Sequence, residues 1–116
     1  MSITLYHNPK CSKSRQTLRL LQEQGINPVT IEYLKNPPTV EKLKEILSLL
    51  GVSPRDLMRK KENEYKELGL ASSKLSDKDL IRYMVKNPIL IERPIVLANG
   101  KAALGRPPEQ VLNILN

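Results

Sequence analysis

The strand-like segments of this chain lie at its two ends, and a long helical stretch separates them. Residues 3–6 (ITLY) and 28–33 (PVTIEY) are β-rich near the start, and residues 95–97 are β-rich near the end. Asn99-Gly100 predicts a hairpin, because both turn positions require positive φ, so residues 101–104 should pair back on the strand before them. Any sheet built from these strands therefore joins residues that are far apart in the sequence.

A helical pattern joins the first two strands. Leu18, Leu20 and Leu21 mark one face of this helix, and Gly25 is a typical stop signal. A strand, a helix and a strand in this order form a βαβ unit, which implies that the two strands are parallel.

The middle of the chain is predicted to be a helical block. Apolar residues recur there at three-and-four spacing, and Ser53-Pro54 and Ser76-Asp77 mark two further helix starts. A last helix should follow Pro107-Pro108. The order is βαβ, a helical insertion over about residues 39–87, then ββα. We expect one α/β domain over residues 1–116, with the thioredoxin-like arrangement of a four-stranded mixed sheet flanked by helices.

Charge and composition restrict the classes of partner. Nineteen lysines and arginines against 12 aspartates and glutamates give a formal net charge of +7, which favours anionic partners. No block of five or six like charges occurs, and aromatic residues are scarce, so we expect no nucleic-acid binding. The chain has one cysteine and no apolar run long enough to cross a membrane. We expect no secretory signal, because no positively charged start is followed by an apolar core. A cytoplasmic protein without membrane association is expected.

The only cysteine and the only histidine lie in one segment, HNPKCSKSR at residues 7–15. This segment links the first strand to the first helix, where a helix N-terminus offers backbone N–H groups and the positive end of its dipole. Together with Lys10, Lys13 and Arg15, this position should stabilise a Cys11 thiolate. The alternative is that Cys11 is a small buried apolar residue, and its polar, basic neighbours argue against that.

The roles of His7 and Ser14 follow from the same segment. His7 either stabilises the Cys11 thiolate or hydrogen-bonds the loop backbone. One histidine and one cysteine do not make a tetrahedral ligand set, so no metal site is expected. Ser14 stands where a dithiol oxidoreductase carries its second cysteine, so any disulfide has to join Cys11 to another molecule, such as glutathione or a small redox protein.

Several longer segments form a combined pattern that covers nearly the whole chain. They are HNPKCSKSR, EYLKNPPT (32–39), RDLMRKKENEYKELGL (55–70), NPILIERPIVLANGKAALGRP (87–107) and the closing helix. The combination resembles the glutaredoxin-coupled arsenate reductases, which have a thioredoxin-like fold. The resemblance implies that Cys11 is the nucleophile and that Arg59, Arg93 and Arg106 bind the oxyanion. It also implies that Pro94 is a cis-proline beside the cysteine.

The resemblance further implies a reaction and its partners. The Cys11 thiolate would form a covalent adduct with arsenate, glutathione would reduce the arsenic as co-substrate, and glutaredoxin would clear the mixed disulfide. No bound metal or prosthetic group is required, and we expect a monomer. His7, Ser14, Arg15 and Pro94 would support the thiolate or its loop.

Two alternatives use the same residues differently. The first is a monothiol, glutathione-dependent oxidoreductase that acts on another anion or on glutathione adducts. The second is a redox regulator of the Spx type, which shares the scaffold and binds RNA polymerase. Such regulators often switch through a Cys-x-x-Cys pair, and Ser14 occupies the second position here, which argues against this class.

Overall fold

One sheet unites the two ends of the chain in the computed structural model, which describes residues 2–115. Its strands are β1 (Thr4–His7), β2 (Val29–Glu32), β3 (Ile95–Ala98) and β4 (Lys101–Leu104). They are ordered β2-β1-β3-β4. β1 is parallel to β2 and antiparallel to β3, and β4 is antiparallel to β3. The predicted four-stranded mixed sheet is therefore confirmed.

The chain divides into two compact units. The first unit consists of residues 2–36 and 93–115, and the second consists of residues 37–92. The second unit corresponds closely to the helical insertion predicted over residues 39–87. That both units belong to one domain stays a prediction.

The first unit has an aliphatic core between its sheet and two helical segments. These segments are α1 (Ser12–Glu23) and the 3₁₀ helix Pro108–Ile114. Leu5 of β1 and Val96 of β3 are register partners, and both are fully buried. The core consists of Ile3, Leu5, Leu21, Val96, Ala98, Val111 and Ile114. Full burial of a side chain of this size contributes roughly 1.5–3 kcal/mol to folding, so these residues hold α1 firmly on the sheet.

The last helix begins where Pro107-Pro108 predicted it, but it is a 3₁₀ helix. The backbone N–H of Gln110 donates to the Pro107 carbonyl at 3.0 Å, which is a three-residue separation. Over seven residues, an apolar face does not distinguish 3.0 from 3.6 residues per turn, because both periods bring similar positions together. The sequence pattern therefore located this element without specifying its type.

β2 lies at an edge of the sheet, and this explains its exposed valine. Val29 is 57 % exposed, although Val29, Ile31 and Tyr33 alternate with polar residues as in a half-buried strand. Tyr33, just after β2, is 1 % exposed. An edge strand has a neighbour on one side only, so fewer residues cover it.

The second unit is helical, as predicted. Its helices are α2 (Val40–Leu50), α3 (Pro54–Leu57), α4 (Asn63–Glu67) and α5 (Asp77–Lys86), followed by the 3₁₀ turn Pro88–Leu90. Ser53 and Ser76 both form capping boxes at the predicted helix starts, each with the aspartate three residues later. Helices α2, α3 and α5 pack through buried apolar side chains, which include Leu43, Ile46, Leu47, Leu57, Leu80 and Met84.

Within residues 2–115, no helix combines the length and the apolar character needed to cross a membrane.

Candidate functional site

Cys11 occupies the N-cap position of α1. The turn before it is tight: the Cys11 N–H donates to the Asn8 carbonyl at 2.9 Å, and the Lys10 N–H donates to the Asn8 side-chain oxygen at 3.0 Å. The first intrahelical bond, from the Arg15 N–H to the Cys11 carbonyl at 3.0 Å, then fixes the start of the helix. The partly buried sulfur thus lies at the positive end of a 12-residue helix.

The surroundings of the thiol favour its charged form. Burial alone would raise the pKa of Cys11, but the Ser14 N–H, the Arg93 guanidinium and the Lys13 N–H together outweigh burial. The net effect is a pKa below the ordinary value of 9.0. Hydrogen-bond donors and positive charge stabilise a thiolate more than a thiol, which is the arrangement that activates cysteines.

Two of the three predicted oxyanion-binding arginines lie beside the sulfur. Arg106 Nη2 is 3.7 Å from Cys11 Sγ, and Arg106 Nε donates to the Arg93 carbonyl oxygen at 2.7 Å. Arg93 is 9 % exposed, and its guanidinium interacts with the thiol by hydrogen bonding and by charge. The Arg93–Pro94 and Arg106–Pro107 bonds are both cis. The hydrogen bond to the Arg93 carbonyl holds the Arg106 side chain near the sulfur.

Gly105 has a positional role that the sequence analysis missed. Its N–H donates to the Pro94 carbonyl at 2.9 Å. A Cβ atom here would lie 2.6 Å from Thr17 Oγ1 and 2.7 Å from Pro94 Cγ, both too close for a side chain. The backbone before Arg106 can therefore approach Pro94 and α1 only because residue 105 is glycine. A glycine directly before a motif arginine was the available clue.

His7 contacts the Ser14 hydroxyl, an arrangement that neither sequence interpretation of His7 included. Its Nδ1 atom is 2.6 Å from Ser14 Oγ, and Ser14 Oγ also accepts the Asn8 N–H at 3.0 Å. Burial lowers the pKa of His7 below 6.5, Glu32 opposes this, and the charge of Arg15 adds to the lowering. His7 is therefore neutral at neutral pH. Its ring contacts Ser14, whose backbone N–H stabilises the thiolate.

The side-chain charges of Arg15, Lys10 and Lys13 were expected to stabilise the Cys11 thiolate, but they are not among the causes of its lowered pKa. Arg15 Nη1 donates to the Pro9 carbonyl at 2.9 Å, so this side chain ties down the loop. Lys10 is exposed, and Lys13 acts on the thiol through its backbone N–H. Their ammonium groups are not among the causes of the lowered Cys11 pKa, which come from backbone donors and from Arg93.

Arg59, the third predicted arginine, lies in the second unit. Its Nη1 donates to Glu92 Oε1 at 2.6 Å, and its Nε lies 3.9 Å from Glu62 Oε1. The Arg59 and Glu92 side chains are each 24 % exposed. The structure therefore places this arginine in a half-buried, charge-assisted pair with a carboxylate that the sequence analysis did not single out.

The cluster of Cys11, Arg93 and Arg106 defines what the site can do chemically. A thiolate can attack an electrophile, and two guanidinium groups can hold the oxygens of an anion around that electrophile. Residues 2–115 contain no group of three or more histidine, cysteine or acidic side chains placed to hold a metal ion. These features define a protein of thioredoxin-like fold with one activated thiol in an anion-binding setting.

The chain belongs to the ArsC family, whose model matches residues 6–114. Three similar proteins have a length close to that of this chain. The uncharacterized protein YfgD of Escherichia coli K12 is 57 % identical over 114 residues, 97 % of this chain and 96 % of that one. An arsenate reductase of Neisseria meningitidis serogroup A is 50 % identical, covering 97 % of both. The structure of the arsenate reductase from Vibrio cholerae is 58 % identical with a TM-score of 0.96, covering 99 % of this chain and 98 % of that one.

Proposed function

We propose that this protein is an arsenate reductase in which Cys11 is the nucleophile. The observation that carries the proposal is the position of Arg106 Nη2, 3.7 Å from a Cys11 sulfur whose pKa is lowered. A thiolate and a guanidinium at this separation can both contact one tetrahedral oxyanion, the thiolate at the central atom and the guanidinium at its oxygens. Relatives named arsenate reductases at 50 % identity support this choice of oxyanion.

The first chemical step forms a sulfur–arsenic bond. The Cys11 thiolate attacks the arsenic(V) centre, and one arsenate oxygen leaves as water after protonation. Arg93 and Arg106 hold the remaining oxygens and the charge that develops on them. Arg59 is proposed as a third oxyanion ligand, because the resemblance of its segment to the family implies this role and its guanidinium has five N–H donors.

The second step requires a thiol from outside the chain, because Cys11 is the only cysteine. Glutathione is the proposed co-substrate. Its sulfur forms a disulfide with Cys11 as the sulfur–arsenic bond breaks, and the two electrons of that bond remain on arsenic, which leaves as arsenite. Glutaredoxin then attacks the mixed disulfide, takes the glutathione and returns the Cys11 thiolate. This sequence needs no bound metal or prosthetic group.

The remaining proposals concern supporting residues and setting. The contact between His7 and Ser14 supports the start of α1, and Arg15 holds the loop before it. Pro94 accepts the Gly105 N–H and so supports the backbone before Arg106. A reducing compartment suits a mechanism that depends on glutathione, so we propose a cytoplasmic protein that works as a monomer.

One specific feature favours a second candidate, a monothiol oxidoreductase that acts on glutathione adducts. Ser14 stands in the position of a resolving cysteine, so a mixed disulfide on Cys11 would persist until another thiol removed it. Turnover with a glutathione mixed disulfide in place of arsenate distinguishes this candidate from the first.

The test is arsenate-dependent NADPH oxidation, coupled through glutathione, glutaredoxin and glutathione reductase. The wild type should turn over, and Cys11→Ser should lose activity by about three orders of magnitude or more, as expected for a deleted nucleophile. The control is Ser12→Ala, which alters the neighbouring exposed hydroxyl and should keep wild-type turnover. Equal arsenate reduction by Cys11→Ser and wild type would refute the proposal.

A further inference from the structure

Arg59 and Glu92 form a short, half-buried ion pair in the second unit. Their atoms Nη1 and Oε1 are 2.6 Å apart, and each side chain is only 24 % exposed. The pair of Lys42 and Glu45 in the same unit is 3.3 Å apart, with side chains 41 % and 55 % exposed. A shorter and drier pair of charges interacts more strongly, because less water screens it.

The backbone around this pair is fixed on both sides. The Arg59 N–H donates to the Leu90 carbonyl at 2.7 Å, and the Glu92 N–H donates to the Leu57 carbonyl at 2.9 Å. Between these bonds, Met58 and Ile91 form an antiparallel bridge. The short ladder brings two chain segments together over a distance of 33 residues in the sequence. The meeting of Arg59 and Glu92 is thus built into the fold of this unit.

We propose that Glu92 is the resident anion of Arg59, meaning the carboxylate that holds its guanidinium until a substrate oxyanion competes for it. This inference rests on the proposed function, in which Arg59 binds an oxygen of arsenate. Carboxylate and arsenate oxygens both accept from guanidinium N–H groups, so the two anions draw on the same five donors. Glu92 is accordingly a positioning residue that sets how tightly the oxyanion binds, and it takes no part in bond making.

The resident anion has two opposing effects on substrate binding. It keeps Arg59 ordered, which reduces the entropy that substrate binding would otherwise lose. It also lowers the positive charge that an incoming oxyanion meets. Glu92→Gln separates these effects, because the amide has the same shape and keeps an acceptor oxygen for Nη1 while it removes the negative charge.

The experiment measures arsenate binding by calorimetry in a Cys11→Ser background, where no covalent adduct can form. We expect Glu92→Gln to lower the Kd for arsenate roughly tenfold, which corresponds to about 1.4 kcal/mol. Glu92→Asp, which keeps the charge but moves it one methylene back from Arg59, should lower the Kd about two- to threefold. Glu45→Gln removes one negative charge from an exposed position and is the matched control, with a Kd equal to that of the parent.

A kinetic measurement separates a charge effect from a structural one. With Cys11 intact, Glu92→Gln should lower the KM for arsenate while kcat changes less than twofold, since the charge acts on binding. Damage to the fold would lower kcat and the midpoint of urea unfolding together. An unchanged or higher Kd in Glu92→Gln, or an equal decrease in Glu45→Gln, would overturn the inference and leave the proposed function standing.

Two other outcomes bear on the proposed function as well. If Arg59→Ala binds arsenate as tightly as the Cys11→Ser parent, Arg59 is no oxyanion ligand and the resident-anion role of Glu92 falls with it, while Cys11 chemistry survives. If neither the parent nor any variant binds arsenate, the proposed function and the inference are both wrong.

Discussion

Arg106 and Arg59 are two arginines of this chain whose guanidinium groups are held in different ways. Arg106 is tethered by the neutral carbonyl of Arg93, at 2.7 Å, and lies near the Cys11 sulfur. Arg59 is tethered by the carboxylate of Glu92, at 2.6 Å. A neutral carbonyl fixes the direction of an arginine side chain but does not neutralise its charge. A carboxylate fixes the direction and also neutralises the charge. The comparison shows that one residue type serves a thiolate in one unit and an internal ion pair in the other.

Replacement of Arg106 by lysine should have the largest effect on activity. Arg106→Lys keeps a positive charge but loses the planar group that contacts the Arg93 carbonyl and the sulfur at once. We expect kcat/KM for arsenate to fall roughly 100-fold, as when one oxyanion donor is lost. The pKa of Cys11 should change little, because backbone donors and Arg93 are what lower it. Ultraviolet absorbance of the thiolate against pH and the coupled assay measure the two quantities.

The matched control is Arg19→Lys, an exposed position on α1. It should leave both the thiol pKa and kcat/KM at wild-type values. A wild-type kcat/KM in Arg106→Lys would mean that the planar guanidinium of Arg106 does not matter for the reaction.

Gly105→Ala should have an intermediate effect, by disturbing the backbone that carries Arg106. The added methyl group would meet Thr17 Oγ1 and Pro94 Cγ at less than 3 Å, and forced overpacking costs about 1–3 kcal/mol of stability. We expect a lower free energy of unfolding and a higher Cys11 pKa, because displacement of Pro94 shifts the neighbouring Arg93, whose guanidinium lowers that pKa. Urea unfolding and thiolate absorbance check the two parts.

Gly69→Ala in the second unit is the matched control for Gly105→Ala. Nothing lies within 4 Å of a Cβ at this position, and the only obstacle is its φ of +66°. It should cost about 1 kcal/mol of stability and leave the thiol pKa unchanged. A shifted thiol pKa in Gly69→Ala, or none in Gly105→Ala, would remove the distinction between the two regions.

The smallest expected effect is a pH dependence of stability that comes from Cys11. Its pKa in the folded chain is below the ordinary value of 9.0, so the unfolded state binds more protons between these two values. Stability from the thiolate is therefore fully present above pH 9.0 and is lost as the pH falls through the folded pKa. Cys11→Ser should lack this component. Urea unfolding midpoints of both proteins, compared across that window, should diverge as the pH rises, and parallel curves would contradict a stabilised thiolate.

Local signals in the sequence were sufficient for the loop that carries Cys11. An apolar run, an Asn-Pro turn and a polar helix start lie within a dozen residues, so the strand, the turn and α1 could be predicted without tertiary information. The helix starts at Ser53 and Ser76 were equally local and are confirmed by capping boxes. The 3₁₀ form of the last helix was missed, because over seven residues the apolar positions do not distinguish 3.0 from 3.6 residues per turn.

Local sequence patterns could not predict the contacts within the site. Arg106 and Cys11 are 95 residues apart, and only the family resemblance directed attention to Arg93 and Arg106. The contact of His7 with a hydroxyl depends on how the chain turns at Asn8, which no spacing rule gives. Glu92 was missed for a similar reason, since its pairing with Arg59 follows from a backbone ladder between distant segments.

The single cysteine of this chain has a practical consequence for measurement. Because one chain carries one thiol, located at the candidate site, the stoichiometry of any thiol-specific label is also a count of intact sites. A labelled fraction below one measures oxidised or blocked protein directly. Because the label consumes the Cys11 thiolate, slower labelling in the presence of an oxyanion reports occupancy of the site without any engineered substitution.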